Sequence, residues 1–304
     1  MILTITPNPA VDQTLSLDEP LSAGGVNRAT DRRFDAGGKG VNVSGYLREL
    51  GVETVATGFV GGFLGDYLVD ELDAANVPSE FVRIDGITRL NTTVLAEDGE
   101  YKVNQRGPPL GEAAVEDLVA TVRDRDPETV LVAGSLPPGF DADAVDRLAT
   151  AGDWATAIDA GGELLGTLEA NYDLCKPNRE ELAAATGLPT GTVEACAVAA
   201  AELRERGFER VVASLGADGA ILVSGEGAYY APALQVEATD TVGAGDSLLA
   251  GVLAAFDAGE SERRALARGV AAAARVVSTE GTEPPPFADL HVDGVEISRI
   301  STEK

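Results

Sequence analysis

The chain reads as an α/β protein: a mainly parallel sheet with a small β-sheet standing off it as a lid. Three features of the 304 residues predict this. Strand-like runs alternate with helix-like runs along the chain, the pattern of βα units. Glycine-rich turns recur where the strand-like runs end. Two non-helical stretches, 14–17 and 81–104, break the alternation, which assigns a lid or dimer surface to segments 12–34 and 81–106. There is no repeat, low-complexity tract or linker, so residues 1–304 read as one domain.

The elements follow in order. Strands are expected at 2–6, 54–60, 129–133, 154–158, 173–176, 210–214 and 220–223, each an apolar or β-branched run. Helices are expected at 39–50 (stopped by Gly51), 64–75, 112–124, 142–150, 180–186, 193–206 (stopped by Gly207), 247–256 and 262–278. Short strands at 81–84, 92–96 and 101–104 complete the lid, with Glu97-Asp98-Gly99-Glu100 as a hairpin turn.

Composition excludes several function classes. Fifty acidic residues against 23 basic give a net charge of −27, a surface that repels nucleic acid and anionic membranes. Of the basic residues only Lys39, Lys102, Lys176 and Lys304 are lysines. High acid with scarce lysine fits a cytoplasm of high salt, where screening is nearly complete. No apolar run of about 18 residues offers a membrane span, and the N-terminus enters a strand pattern without a basic leader, so a cytoplasmic protein is expected. The two cysteines, Cys175 and Cys196, make no disulfide framework and no metal cluster. One histidine, His291, leaves no room for a His-ligated zinc or a Ser-His-Asp triad, so any general base is a carboxylate.

The chain is organised around residues 239–247, Thr-Asp-Thr-Val-Gly-Ala-Gly-Asp-Ser, which open an apolar helix. Gly243, Ala244 and Gly245 leave bare N–H groups at the helix N-terminus, where the dipole attracts anions. Asp246 follows directly. A carboxylate beside an anion site suits a base that takes a proton from a hydroxyl attacking a phosphoryl group. An ordinary glycine turn with an N-cap aspartate fits the same stretch equally.

Further motifs stand at other strand ends. Asp35-Ala36-Gly37-Gly38-Lys39-Gly40-Val41-Asn42 opens a helix with glycines that admit a ligand to the backbone, and Lys39 among them reads as an anion ligand. It is not a Walker A, whose spacing is absent. Asp12, in Asn8-Pro9-Ala10-Val11-Asp12, is placed to hold a ligand hydroxyl. Gly134-Ser135-Leu136-Pro137-Pro138-Gly139 is a stiff loop able to floor a pocket. In Lys176-Pro177-Asn178-Arg179-Glu180-Glu181, Asn178 and Glu181 share one helix face. That pair can orient a magnesium shell through water, or form a capping box, or both. Ser214-Leu215-Gly216-Ala217-Asp218-Gly219 is a turn able to receive nucleotide phosphate or ribose.

Together these motifs, in this order, resemble the PfkB (ribokinase-like) carbohydrate kinase family over nearly the whole chain. The resemblance implies a ribokinase-like three-layer α/β sandwich with a β-lid, and ATP and Mg²⁺ as cofactors; the lid itself is what suggests a homodimer joined through it, since the sequence does not give oligomeric state. It implies Asp246 as the base and Gly243, Ala244 and Gly245 as the anion hole. Asn178 and Glu181 would serve Mg²⁺, while Lys176, Ser214, Gly216, Asp218 and Gly219 would lie on the ATP side with Asn178. Asp12, Gly38, Asn42 and Ser135 would hold the sugar.

The Asn8-Pro9-Ala10 opening, Val26-Asn27-Arg28, residues 38–42 and Thr88-Arg89-Leu90-Asn91 are similar to the family's phosphosugar branch. There Lys39 and Arg89 bear on the phosphate that the substrate already carries, with Arg28, Lys102 and Arg106 as lesser additions. An acidic protein needs such local cations to bind a dianion, and an arginine fork suits phosphate. The activity so implied is ATP-dependent phosphorylation of fructose 1-phosphate to fructose 1,6-bisphosphate. Fructose 6-phosphate or tagatose 6-phosphate as substrate, and a non-catalytic sugar-phosphate or nucleotide sensor, stand as the alternatives.

Overall fold

The computed structural model describes residues 1–279 and 284–302. In chain order it contains strands β1 (Ile2–Thr6), β2 (Ala10–Ser16) and β3 (Asp31–Gly37), then helix α1 (Lys39–Glu49). Next come β4 (Thr54–Val60), α2 (Gly62–Ala74), β5 (Val82–Arg83), β6 (Arg89–Ala96) and β7 (Gly99–Val103). The middle of the chain forms α3 (Glu112–Arg125), β8 (Thr129–Ala133), α4 (Ala142–Ala149), β9 (Ala155–Asp159), α5 (Gly162–Leu165) and β10 (Tyr172–Cys175). It ends with α6 (Arg179–Thr186), α7 (Val193–Glu205), β11 (Phe208–Ser214), β12 (Ala220–Ser224), β13 (Gly227–Ala231), α8 (Ala244–Asp257), α9 (Glu262–Val277) and β14 (Ser298–Ile300).

Among the described residues, ten strands form one sheet in the order β14-β13-β12-β11-β10-β9-β8-β1-β4-β5. Pairing is parallel from β11 to β5 and antiparallel from β11 out to β14. Both faces are covered, and the strands show why. In β8, Val130 and Val132 join one core while Leu131 and Ala133 join the other. Successive side chains leave a strand on opposite faces, so a continuous apolar run is what a doubly covered strand needs. On the first face α3, α4, α6 and α7 bury Leu118, Leu148, Leu182 and Leu203; on the second, α1, α8 and α9 bury Leu47, Leu249 and Leu266. Helix α2 closes the β4 edge with Leu68 and Leu72 against Ala56 and Val60. No helix among the described residues is long and apolar enough to cross a membrane.

A second sheet of four strands, β3-β2-β6-β7, stands apart as the lid. Its limits differ from the sequence reading. Val82 pairs with Phe59 of β4, so the strand expected in the lid at 81–84 extends the main sheet instead. The lid strand expected at 14–17 begins at Ala10, and β3, with the sequence Asp-Arg-Arg-Phe-Asp-Ala-Gly, has no apolar alternation that would announce it. Its strand state is decided by seven paired positions against β2, from Ala10↔Gly37 to Ser16↔Asp31. Strands β13 and β14 and the one-turn α5 were likewise silent in the pattern. Lys304 lies outside the described residues.

Register sorts the lid into two faces. Arg32, Leu15, Val94 and Tyr101 stand in one cross-strand row, and Phe34, Gln13, Thr92 and Val103 in the next on the same side. The opposite side carries Asp12, Asp35 and Asn91 in one row and Ala10, Gly37 and Arg89 in another. One face is therefore largely apolar and the other polar.

Candidate active site

The parallel strands β11, β10, β9, β8 and β1 are consecutive neighbours, and their carboxyl ends carry Ser214, Lys176, Asp159, Ser135 and Asn8 in that spatial order. Crevices outside such strand ends are where open α/β sheets bind ligands. Helices α1 and α8 bring their N-termini to the same edge. Gly38 caps α1, and Gly243 caps α8 in the left-handed region at φ +78°. A Cβ at Gly243 would stand 2.2 Å from the Tyr46 hydroxyl, so this turn accepts only glycine without displacing Tyr46. First-turn amides of a helix have no intrahelical partner and carry its positive end. The N–H of Ala244 turns back to the Thr241 carbonyl, and that of Ser247 to Gly243, framing Gly245 and Asp246.

Asp246 is buried at 8% exposure in that first turn. Asn42 on α1 donates its Nδ2 hydrogen to Asp246 Oδ2 at 2.8 Å. Burial, then the charge of Asp159, push the Asp246 pKa up to about 6, against the Asn42 hydrogen bond and the charges of Lys176 and Lys39. Tyr46 responds in the same direction: burial first, then Asp246 and Asp240, raise its pKa to about 12.

Asp159 is the residue the sequence reading missed. It is fully buried at the end of β9, where it receives Lys39 Nζ on Oδ1 at 2.8 Å and Lys176 Nζ on Oδ2 at 3.2 Å. The available signal was an aspartate at a strand end before Ala160-Gly161-Gly162, the same small-residue pattern used at the other strand ends. Lys39 also lies 3.7 Å from Glu181 Oε1. Burial opposes the charge of Lys39, but Asp159, Glu181 and Asp246 outweigh it and raise the lysine's pKa.

Asn178 and Glu181 make a full capping box: Asn178 Oδ1 accepts from the Glu181 N–H at 2.9 Å, and Glu181 Oε2 from the Asn178 N–H at 2.8 Å. Beside them opens a cavity of about 750 Å³, lined by Asn178, Ser214, Gly216, Gly219, Ala244 and Gly245 among largely apolar neighbours. Asp218 is turned to an ion pair with Arg179 at its rim.

The other sequence-derived residues gather at the lid. Asp12 Oδ1 accepts from Asn91 Nδ2 at 2.9 Å. Arg89 donates from Nε to the Asn8 carbonyl and from Nη1 to that of Gln105. Burial lowers the Arg89 pKa, and Asp12 opposes the shift. Ser135 Oγ accepts from Asn8 Nδ2 at 3.1 Å. Lys102 pairs with Glu100 far out on β7, away from this group. The structure thus forms two clusters: Asp246, Asn42, Lys39, Asp159, Lys176 and Glu181 at the sheet edge, and Asp12, Asn91, Arg89, Asn8 and Ser135 at the root of the lid.

The raised Asp246 pKa has a stability consequence. A folded-state value above the unfolded one favours the fold fully at pH below the unfolded value, and this contribution is lost as pH rises through about 6. The ionised carboxylate is thus a burden at neutral pH. Asp246→Asn, which keeps the shape and removes the charge, is expected to raise Tm at pH 7.5 and to lose that advantage at pH 4.5. Calorimetry at the two pH values measures it; a lower Tm at pH 7.5 would contradict the assignment.

Comparison with known proteins bears on this geometry. A family model described as "pfkB family carbohydrate kinase" matches residues 6–288. A protein named 1-phosphofructokinase from Haloferax volcanii is 53% identical over 304 residues, covering 99% of this chain and 100% of its own. A D-tagatose-1-phosphate kinase from Bacillus licheniformis is 32% identical over 306 residues, with 99% and 100% covered. The structure of Escherichia coli phosphofructokinase-2 in complex with fructose-6-phosphate superposes with a TM-score of 0.84 at 28% identity, covering 95% of this chain and 98% of that one. The chain belongs to the pfkB family of carbohydrate kinases, with the ribokinase-like α/β fold.

Proposed function

We propose that the enzyme transfers the γ-phosphoryl group of ATP to the 6-hydroxyl of fructose 1-phosphate, giving fructose 1,6-bisphosphate. The observation that carries this reading is Asp246: a buried carboxylate in the first turn of α8, hydrogen-bonded to Asn42 and directly after Ala244 and Gly245, which line the cavity. Its elevated pKa makes it a stronger base than a solvated aspartate while leaving it ionised at pH 7. The identity to the Haloferax volcanii relative supports the choice of sugar. A ketohexose 1-phosphate of the tagatose series is the second reading, supported by the Bacillus licheniformis relative.

In this mechanism ATP occupies the cavity, where Ser214, Gly216, Gly219 and Asn178 receive it; Lys176 lies next to Gly245 of its lining, and Asp218 pairs with Arg179 of its lining. The amides of Gly243 and Gly245 face the phosphoryl group in flight, that of Ala244 joins them by exchanging its long 3.4 Å bond to the Thr241 carbonyl, and Asp246 takes the acceptor hydroxyl's proton. Asp12, Gly38, Asn42 and Ser135 hold the sugar. Arg89 supplies positive charge to the substrate's own phosphate in an otherwise acidic protein, while Lys39 stands in the other cluster, paired with Asp159 and Glu181 near Asp246.

Magnesium fits the donor set through water. Asn178 Oδ1 and Glu181 Oε2 are engaged in the cap, while Glu181 Oε1 accepts no hydrogen bond among the described residues. No group of three or more His, Cys, Asp or Glu among them could grip an ion directly. Such an ion arrives with nucleotide phosphates and keeps most of its waters. Asn178 and Glu181 would hold it in that way, and when bound it neutralises phosphate charge.

Oligomer and environment follow from two surfaces. The apolar lid face leaves Phe34, Tyr101 and Val103 at 37%, 38% and 64% exposure, which supports a homodimer joined through the lid. The net charge of −27 supports work in a cytoplasm of high salt.

Asp246→Ala is expected to cut kcat by about 10²–10⁴ without unfolding the protein; near wild-type turnover would remove it from the mechanism. For the wild type, kcat/KM should fall about tenfold per pH unit below about 6 as Asp246 is protonated. A flat profile down to pH 5 would speak against an aspartate base. Arg89→Ala is expected to raise KM for fructose 1-phosphate about tenfold or more, with KM for ATP unchanged. An ADP-release assay with fructose 1-phosphate, fructose 6-phosphate, tagatose 1-phosphate and tagatose 6-phosphate separates the substrate readings. Val103→Glu should shift a dimer to monomer in light scattering; an unchanged mass would exclude this face. Added KCl should raise the unfolding midpoint, and a midpoint lowered by KCl would refute the high-salt reading.

A further inference from the structure

Asn8 opens the loop that follows β1. Asn8 is 5% exposed. Its Nδ2 donates to the Arg106 carbonyl at 3.0 Å and to Ser135 Oγ at 3.1 Å, and its own carbonyl accepts from Arg89 Nε at 3.1 Å. Residue 105 closes the ring. Gln105's carbonyl accepts from Arg89 Nη1 at 3.2 Å, and its Oε1 accepts from the Leu90 N–H at 3.2 Å. Gly107 shows how tightly the strap after β7 is drawn in: at φ +87° a Cβ there would stand 2.1 Å from Asn8 Oδ1.

We propose that Asn8 is the positioning residue that aims the Arg89 guanidinium at the phosphate already present on the substrate. The side chain of Asn8 ties down the strap at Arg106, and the strap presents the Gln105 carbonyl. That carbonyl and the carbonyl of Asn8 together form a two-acceptor cradle that holds the guanidinium at Nη1 and Nε. A guanidinium has five N–H donors in a rigid plane, so holding Nε and Nη1 fixes the direction of the rest. Arg89 and the strap are also two of the places where the lid joins the main sheet, so the same ring sets where the lid sits over the cleft. Without the cradle, Arg89 keeps its charge but has to be ordered when substrate binds, at a cost in affinity.

This inference rests on the reading of Arg89 as the phosphate ligand, and the experiment separates the two. Asn8→Ala, Gly107→Ala, Arg89→Ala and the Asn8→Ala/Arg89→Ala double variant are assayed for KM of fructose 1-phosphate, KM of ATP and kcat, with Tm as a check on folding. Asn8→Ala is expected to raise KM for the phosphosugar about tenfold, leaving KM for ATP and kcat within about threefold. Gly107→Ala pushes on the same contact from the strap side with Asn8 intact. It is expected to do the same, and serves if Asn8→Ala fails to fold. The double variant should be no worse than Arg89→Ala alone, because Asn8 acts through Arg89. If Arg89→Ala raises KM while Asn8→Ala and Gly107→Ala do not, or if the effects of Asn8 and Arg89 multiply, the positioning role is overturned and the phosphate reading stands. If Arg89→Ala leaves KM unchanged, both fall.

Discussion

A carboxylate taken out of water loses several kcal/mol of hydration, and partners must restore it. The sheet edge is arranged around that requirement at Asp246. The N-terminus of α8, the Nδ2 of Asn42 and the charges of Lys39 and Lys176 favour the ionised form, while burial and Asp159 oppose it. The balance leaves a base that is ionised at neutral pH yet more basic than a surface aspartate. Asp159 takes part on both sides. It is more deeply buried than Asp246 and ion-pairs with both lysines, and its charge adds to burial in keeping the neighbouring acid elevated.

Around this centre the fold separates two kinds of ligand surface. The cavity beside α6 and α8 is largely apolar, with polar groups at Asn178 and Ser214, as suits a flat base and a sugar. The lid contributes the polar face, where Asp12, Asn91 and Arg89 sit on the same side of a pleated sheet because their registers match. One four-stranded sheet thus presents mostly polar side chains on one side and mostly apolar ones on the other, by period-two alternation.

The net charge sharpens the contrast. A chain at −27 repels both of its proposed anionic substrates at long range. Two of its four lysines are committed to the site. Lys39 and Lys176 both lie in the cleft, each on the same buried carboxylate, where the surrounding low dielectric makes a single charge count for more than on the surface.

Much of this was legible along the chain. The buried parallel strands announced themselves as apolar runs because both faces are covered, and Ser135, Lys176 and Ser214 follow or end main-sheet strands as read, whereas Asp12 lies within β2 of the lid. The glycine turn at residues 243–245 and the Asn178–Glu181 cap are local signals, readable from a few neighbouring residues. Strand β3 was not legible, since its polar sequence becomes a strand only through pairing with β2. Nor was the role of Asp159, which looks like a connector until Lys39, 120 residues earlier, is laid against it. The amino-acid order by itself therefore determined the elements, their alternation and the small-residue turns, because these depend on side-chain period and backbone sterics over a few residues. Only the tertiary structure decided which charges meet: Asn42 and Asp246 are 204 residues apart, and Asp12 and Asn91 are 79 apart. Strand order and register bring such pairs together, and neither is encoded in local spacing.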